Sequence, residues 1–166
     1  MQGQLQDAGN TTTLSHYLNL LDTVGLLAGI EKYAADIIRK RSSSPRFQVH
    51  NNALLSAQKN EYFDEIKQKP AEWGHIIESS VGAHLVNHSI SQNFEVYYWR
   101  ERNYEVDFVL ERRGKIIAVE VKSNDSQISK GLEVFKYKFN PDKIYLISNR
   151  SLPWQEFLRI NPIDLF

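Results

Sequence analysis

The sequence contains no cysteine. That excludes disulfides and thiolate metal sites, and it fits a cytoplasmic protein. No apolar run approaches the roughly 20 residues that a bilayer span needs, so no membrane role is expected. The opening Met1-Gln2-Gly3-Gln4 has neither the basic region nor the apolar core of a signal peptide. No charge of one sign dominates, with 20 Lys and Arg against 20 Asp and Glu. The chain as a whole is therefore not a polybasic nucleic-acid binder. It also has no internal repeat, no low-complexity stretch and no G-x-x-x-x-G-K-[ST] motif. Neither ATP binding nor ATPase activity is expected from these residues.

What is present is a chain of 166 residues, 42% hydrophobic and 24% charged, ordinary for one large domain or two small ones. Locally, the charge is uneven. Arg39-Lys40-Arg41 and Arg46 place four positive charges within eight residues, and phosphate contacts need local rather than global charge. Residues Gly3–Ala8 read as the end of a short helix and Gly9-Asn10 as a turn. A second helix starts near Thr11, with Leu14, Leu18, Leu21 and Val24, joined by Tyr17, forming an apolar stripe. Gly25 stands where a helix ends in a left-handed residue. A strand (Gly29–Ala35), a loop (Ile37–Pro45) and a returning strand (Arg46–Val49) follow, and Asn51/Asn52 cap a short helix through Ala57. This order predicts a partial winged helix-turn-helix over residues 1–69, whose first helix is missing, so the chain reads as a fragment of something longer. In such a module Thr12, Ser15 and His16 face DNA, while Arg39, Lys40, Arg41 and Arg46 touch phosphates from the wing. A winged helix used only for protein contacts fits the same pattern.

Residues 59–71 are polar and Pro70 interrupts any continuous helix, which places a domain boundary there. Residues 70–166 read as helix (Ala71–Asn87), strands (Phe94–Trp99, Tyr104–Arg112, Lys115–Ser123), helix (Gln127–Phe139), strand (Lys143–Ser148) and an irregular tail. A helix crossing between strands predicts a parallel pair added to an antiparallel hairpin, hence an α/β (α+β) mixed sheet flanked by helices.

The chemistry lies in that second segment. Alternation in Glu105-Val106-Asp107-Phe108-Val109-Leu110 puts Asp107 on one face and Val106, Phe108 and Leu110 on the other. In Ile116-Ile117-Ala118-Val119-Glu120-Val121-Lys122, Glu120 and Lys122 share a face with Ile116 and Ala118. A carboxylate inside an apolar strand is costly unless something binds it. If Arg113-Gly114 form a two-residue turn, Arg112 pairs with Lys115 and Asp107 falls opposite Glu120; a three-residue loop without a bulge would separate them. Two opposed carboxylates suit a hard cation, Mg²⁺ or Mn²⁺. Lys122 is then placed to orient water or stabilise charge developing on a phosphorane. That set of parts describes metal-assisted phosphodiester hydrolysis, although Glu120 and Lys122 could equally form a weak surface ion pair. On the preceding helix, Gly74, Glu78 and Gly82 form a stripe that leaves Glu78 reaching toward the sheet as a third ligand. Lys130 is a candidate phosphate contact. His84 and His88 share a helix face but lack a third zinc ligand at matching spacing.

Glu78, Asp107 and Glu120-Val121-Lys122, set between a helix, a hairpin and a crossover helix, resemble the core of the PD-(D/E)XK nuclease superfamily. Val106 stands where the motif has proline. Further stretches resemble the C-terminal region of a prokaryotic AAA+-type ATPase family that ends in a domain of unknown function. They are Tyr17-Leu18-Asn19-Leu20-Leu21, Ser44-Pro45-Arg46, Trp73-Gly74-His75-Ile76-Ile77-Glu78-Ser79, Tyr98-Trp99-Arg100, Glu105-Val106-Asp107-Phe108, Glu120-Val121-Lys122-Ser123 and Gly131-Leu132-Glu133-Val134-Phe135. The resemblance implies a restriction-endonuclease-like domain behind a winged helix and an N-terminal ATPase module as partner. It further implies DNA as substrate, with Asp107, Glu120 and Glu78 binding Mg²⁺ and Lys122 assisting catalysis. A non-catalytic DNA- or protein-binding regulatory module is the alternative, because such folds also serve without chemistry.

Overall fold

The computed structural model describes residues 11–34, 43–59, 61–122 and 129–166. The alternating segments around the Arg113-Gly114 turn form two interior strands of a six-stranded sheet. Its strands are β1 (Leu27–Lys32), β2 (Arg46–Val49), β3 (Glu95–Glu101), β4 (Tyr104–Arg112), β5 (Lys115–Val121) and β6 (Lys143–Ile147). They lie in the order β2-β1-β3-β4-β5-β6. Pairs β1–β2, β3–β4 and β4–β5 are antiparallel, whereas β1–β3 and β5–β6 are parallel. The result is a mixed α/β architecture with mostly antiparallel pairing.

Six α-helices surround the sheet among the described residues: α1 (Thr11–Thr23), α2 (Ala53–Ser56), α3 (Phe63–Lys67), α4 (Pro70–Gln92), α5 (Lys130–Phe139) and α6 (Trp154–Phe157). A 3-10 turn, Pro162–Leu165, follows α6. Pro70 starts α4 rather than breaking it, because a proline in the first turn gives up no hydrogen bond. The helix runs five residues past the expected Asn87, to Gln92, where Asn93 takes a left-handed φ of 54° and closes it. The polar stretch before it is not all linker, since α3 buries Ile66. The tail likewise makes two helical turns that bury Phe157, Pro162 and Leu165. Among the described residues no helix is long and apolar enough to cross a membrane.

Each face of the sheet carries a core. On one, Val81, Leu85 and Val86 of α4 meet Phe108, Leu110, Ile117 and Val119, with Ala28, Ile30, Phe94, Ile147, Phe157 and Leu165 completing the cluster. On the other, Leu132 and Phe135 of α5 meet Tyr33, Trp99, Val106, Val109 and Ala118. β1 ends at Lys32, earlier than the expected Ala35; Tyr33 donates its N–H to the Tyr98 carbonyl at 2.7 Å and packs its ring against Phe135 and Phe139.

β1 and β2 pair antiparallel, Leu27 with Val49 through Ile30 with Arg46. β1 also pairs with β3, Glu31 beside Tyr97 and Lys32 beside Tyr98. Strand pairing and core packing thus cross residue 69, because Ala28 and Ile30 need the cover that α4 provides. In α1 the expected stripe divides: Leu18 packs on Gly29, while Tyr17, Leu21 and Val24 are exposed. The helix expected over Gly3–Ala8 and the basic run Arg39-Lys40-Arg41 lie outside the described residues.

Candidate carboxylate and lysine site

Arg113 and Gly114 have φ of 50° and 79°, as a two-residue hairpin turn with both positions left-handed requires. Arg112 therefore pairs with Lys115, and the register continues to Phe108 with Val119. One step further sets Asp107 beside Glu120. There the ladder of backbone bonds stops, and the Asp107 carboxylate replaces a carbonyl by accepting the Val121 N–H at 2.8 Å.

On the other side of β4 the pairing slips. Tyr97 faces Val109 and Trp99 faces Val106, so the single residue Tyr98 lies opposite both Asp107 and Phe108. This is a β-bulge, which bends a strand and re-aims its side chains. It corrects the simple alternation expected for β4. Phe108 and Leu110 enter the α4-side core, but Val106 enters the α5-side core.

Glu120 is 2% exposed. Its Oε1 lies 2.6 Å from Lys122 Nζ, and its Oε2 accepts a hydrogen bond from Ser129 Oγ at 2.8 Å. Ser129 also caps α5, its oxygen accepting the Leu132 N–H at 3.1 Å. Gly131 makes this approach possible, since a Cβ there would collide with the backbone carbonyl of Glu105. Burial pushes the Asp107 carboxyl up to about 6, with the neighbouring Glu120 charge adding to the effect. The Val121 N–H, Arg46 and Lys122 oppose that rise. For Lys122, burial acts downward, but its hydrogen bond and charge contact with Glu120 and the charges of Asp107 and Glu105 leave the ammonium above its ordinary range.

Glu78 reaches this cluster through another residue. Its carboxylate is ion-paired with Arg46 of β2. The same guanidinium approaches the Asp107 carbonyl at 3.5 Å and lies 5.9 Å from the centre of the Phe108 ring. Gly82 allows the contact, because a Cβ there would overlap the Gln48 side chain and lie 2.9 Å from Phe108 Cζ. Gln48 in turn donates to the Ser79 carbonyl of α4 at 2.9 Å. Glu78 is thus held as an anchor for Arg46. Among the described residues, no group of three or more His, Asp or Glu side chains is arranged to hold a metal ion. Asp107 and Glu120 supply adjacent hard oxygen donors, and the third expected ligand is engaged elsewhere.

The remaining candidates are dispersed. Thr12, Ser15 and His16 lie on α1, where Ser15 and His16 are exposed. Lys130 is exposed at the first residue of α5, next to Ser129. His84 bonds the Ile160 carbonyl at 3.0 Å and His88 bonds the His84 carbonyl at 2.8 Å, so both are packing residues of α4. Burial pulls the His84 imidazole below its ordinary range. Sequence reasoning missed Ser129 and the Arg46–Glu78 pair. A serine just before Lys-Gly-Leu-Glu is a recognisable cap signal, but its second bond to Glu120 depends on where α5 crosses the sheet.

Residues 73–166, more than half of the chain, match the family described as "Domain of unknown function (DUF4143)". No curated protein and no solved structure matches the chain.

Proposed function

The chain belongs to the DUF4143 family, and from the geometry inside the matched segment we propose a nuclease-like, PD-(D/E)XK-type domain directed at the phosphodiester bonds of DNA. One observation carries this reading. Asp107, Glu120 and Lys122 converge at the end of the β4–β5 ladder, with Glu120 buried and Asp107 partly buried beside it. Two neighbouring carboxylates, one buried and one partly buried, suit one Mg²⁺ or Mn²⁺ ion held by Asp107 and Glu120.

A cation bound there supplies Lewis-acid polarisation of a phosphoryl oxygen. The protein's own groups do the rest. Lys122 keeps an ammonium beside the carboxylates, where it balances a bound phosphate and orients an attacking water. Ser129 fixes Glu120 by its second oxygen. Arg46, anchored by Glu78, adds positive charge beside Asp107. On the resemblance of the wider chain, this unit serves a larger AAA+-type ATPase, with α1 and the β1–β2 hairpin belonging to a winged helix.

The test is cleavage of plasmid and oligonucleotide DNA with Mg²⁺ and Mn²⁺, together with Mn²⁺ binding by calorimetry. Asp107→Ala should abolish Mn²⁺ binding, and both Asp107→Ala and Lys122→Ala should lower cleavage by about 10²-fold or more. Equal activity in all three proteins would exclude this site as the catalyst. A second reading, a non-catalytic DNA-binding module, is favoured by the engagement of Glu78 with Arg46. It predicts salt-dependent DNA binding that weakens in Arg46→Ala, without turnover.

A further inference from the structure

The parallel pair β5–β6 ends at one rim of the sheet, where the Lys122 N–H donates to the Ile147 carbonyl at 2.8 Å. In open α/β sheets the crevice beyond the carboxyl ends of such strands is a recurrent ligand position. Here it is a cleft lined by Lys122, Ile147 and Ser148 from the strand ends, Trp73 and Ile77 from α4, and Trp154 from α6. The two indole rings meet edge to face, centroids 6.0 Å apart at 81°. Phe63 of α3 backs Trp73 in a second edge-to-face contact at 5.4 Å. Both tryptophans are half-buried and line the cleft, Trp154 resting on the α4-side core.

Its floor is polar. Ser148 is 5% exposed, and its hydroxyl oxygen accepts the Ser151 N–H at 3.2 Å. Lys122 belongs to both sites: the ammonium that meets Glu120 also borders the cleft. A purely apolar occupant would bury Lys122 and Ser148 against groups that cannot hydrogen-bond. A flat ring carrying hydrogen-bonding edges, joined to an anion, matches the wall, the floor and the cation together.

We propose that this cleft seats an unstacked base of single-stranded nucleic acid against Trp154, with the adjoining phosphate at Lys122. The assignment rests on the phosphodiester reading of Asp107, Glu120 and Lys122, and it makes the substrate class single-stranded. A duplex keeps its bases stacked inside the helix and cannot offer one to the cleft without extruding it.

Binding of a labelled thymidine oligonucleotide, read by fluorescence anisotropy in EDTA, tests the cleft apart from metal and cleavage. The single strand should bind at least tenfold more tightly than the duplex of the same sequence. Trp154→Leu should weaken binding on the order of tenfold, whereas Trp154→Phe retains most of it, because stacking needs a π face that leucine lacks. A merely structural role would be preserved by leucine. In the unmutated protein, an oligonucleotide carrying 5-iodouracil should photocrosslink to Trp154 or Trp73. Absence of single-strand binding, equal affinity for the duplex, full affinity in Trp154→Leu or crosslinks confined to other surfaces would each overturn the proposal. Trp154-dependent binding without Mn²⁺-supported cleavage would keep the cleft and remove the nuclease reading.

Discussion

On one face of the sheet, Gly131 lets α5 lie on β4 so that Ser129 meets Glu120; on the other, Gly82 lets α4 lie on β2 so that Glu78 meets Arg46. The obstacles differ in kind. At Gly131 a Cβ would strike the Glu105 backbone, which is fixed in β4; at Gly82 it would strike only side chains, the amide of Gln48 and the ring of Phe108. The charges differ as well. Glu120 is enclosed, whereas Glu78 and Arg46 have side chains 21% and 40% exposed. A buried carboxylate must be compensated within the protein, while water shares the task at Glu78. The β4–β5 cluster is therefore rigid and strongly coupled, and the Arg46–Glu78 link is adaptable.

The largest test of that contrast is Gly131→Ala against Gly82→Ala. Overpacking a closed contact costs about 1–3 kcal/mol; alanine recovers about 1 kcal/mol of helix propensity at Gly82, interior to α4, but little at Gly131, the second residue of α5. Gly131→Ala should fall at the high end, near 3 kcal/mol in denaturant unfolding, because its neighbour cannot yield. For Gly82→Ala the loss should be about 1 kcal/mol. Equal losses would mean that the two interfaces are equally unyielding.

Asp107→Asn sharpens the same contrast through pH. The carboxyl is raised from its ordinary 3.8 to about 6 in the folded protein. Between these values the folded state holds the proton more tightly than the unfolded state, so this group's contribution to stability falls as pH rises. Below 3.8 both states are protonated and the cost vanishes; above 6 it is constant. Asparagine retains an oxygen for the Val121 N–H and carries no charge. Asp107→Asn should therefore be more stable than the parent at pH 8, on the order of 2–3 kcal/mol, with the difference closing below pH 4. A gain independent of pH would assign the effect to packing instead.

Lys122→Met removes the counter-charge of Glu120. Stranding a buried charge costs about 3–5 kcal/mol; with the Lys122 side chain 33% exposed, water entry should reduce this to about 2 kcal/mol. Adding Glu120→Gln should recover most of the loss, since no charge is then stranded. Failure of that recovery in urea unfolding would show that the lysine acts through its packing.

How much of this was legible in the sequence follows the same division. The β4–β5 hairpin could be read because its register is local: a Gly in a two-residue turn and alternation on either side bring Asp107 opposite Glu120. The bulge at Asp107 and Phe108 could not, because it is defined only against Tyr98 of another strand. Nor could the partner of Glu78, which lies 32 residues earlier on a strand whose neighbours are chosen by the whole sheet. Arg46 could be recognised as a phosphate-seeking cation in a basic stretch, but nothing local to it announces a carboxylate. Pro70 illustrates a different limit. The same residue ends one helix or begins another, and burial of Ile77, Val81 and Leu85 decides for the second.

The smallest expected effect lies at that long-range pair. Glu78→Ala should cost about 0.5–1 kcal/mol and lose part of that difference at high salt, because both partners are reached by water. A double-mutant cycle with Arg46→Ala isolates their coupling, and by the contrast drawn above it should remain below about 1 kcal/mol. Coupling above about 2 kcal/mol would place Arg46 and Glu78 in the same dry regime as Glu120 and Lys122. The two faces of the sheet would then hold charge in the same way, and Glu78 would be an integral part of the Asp107 site rather than an adaptable anchor at its edge.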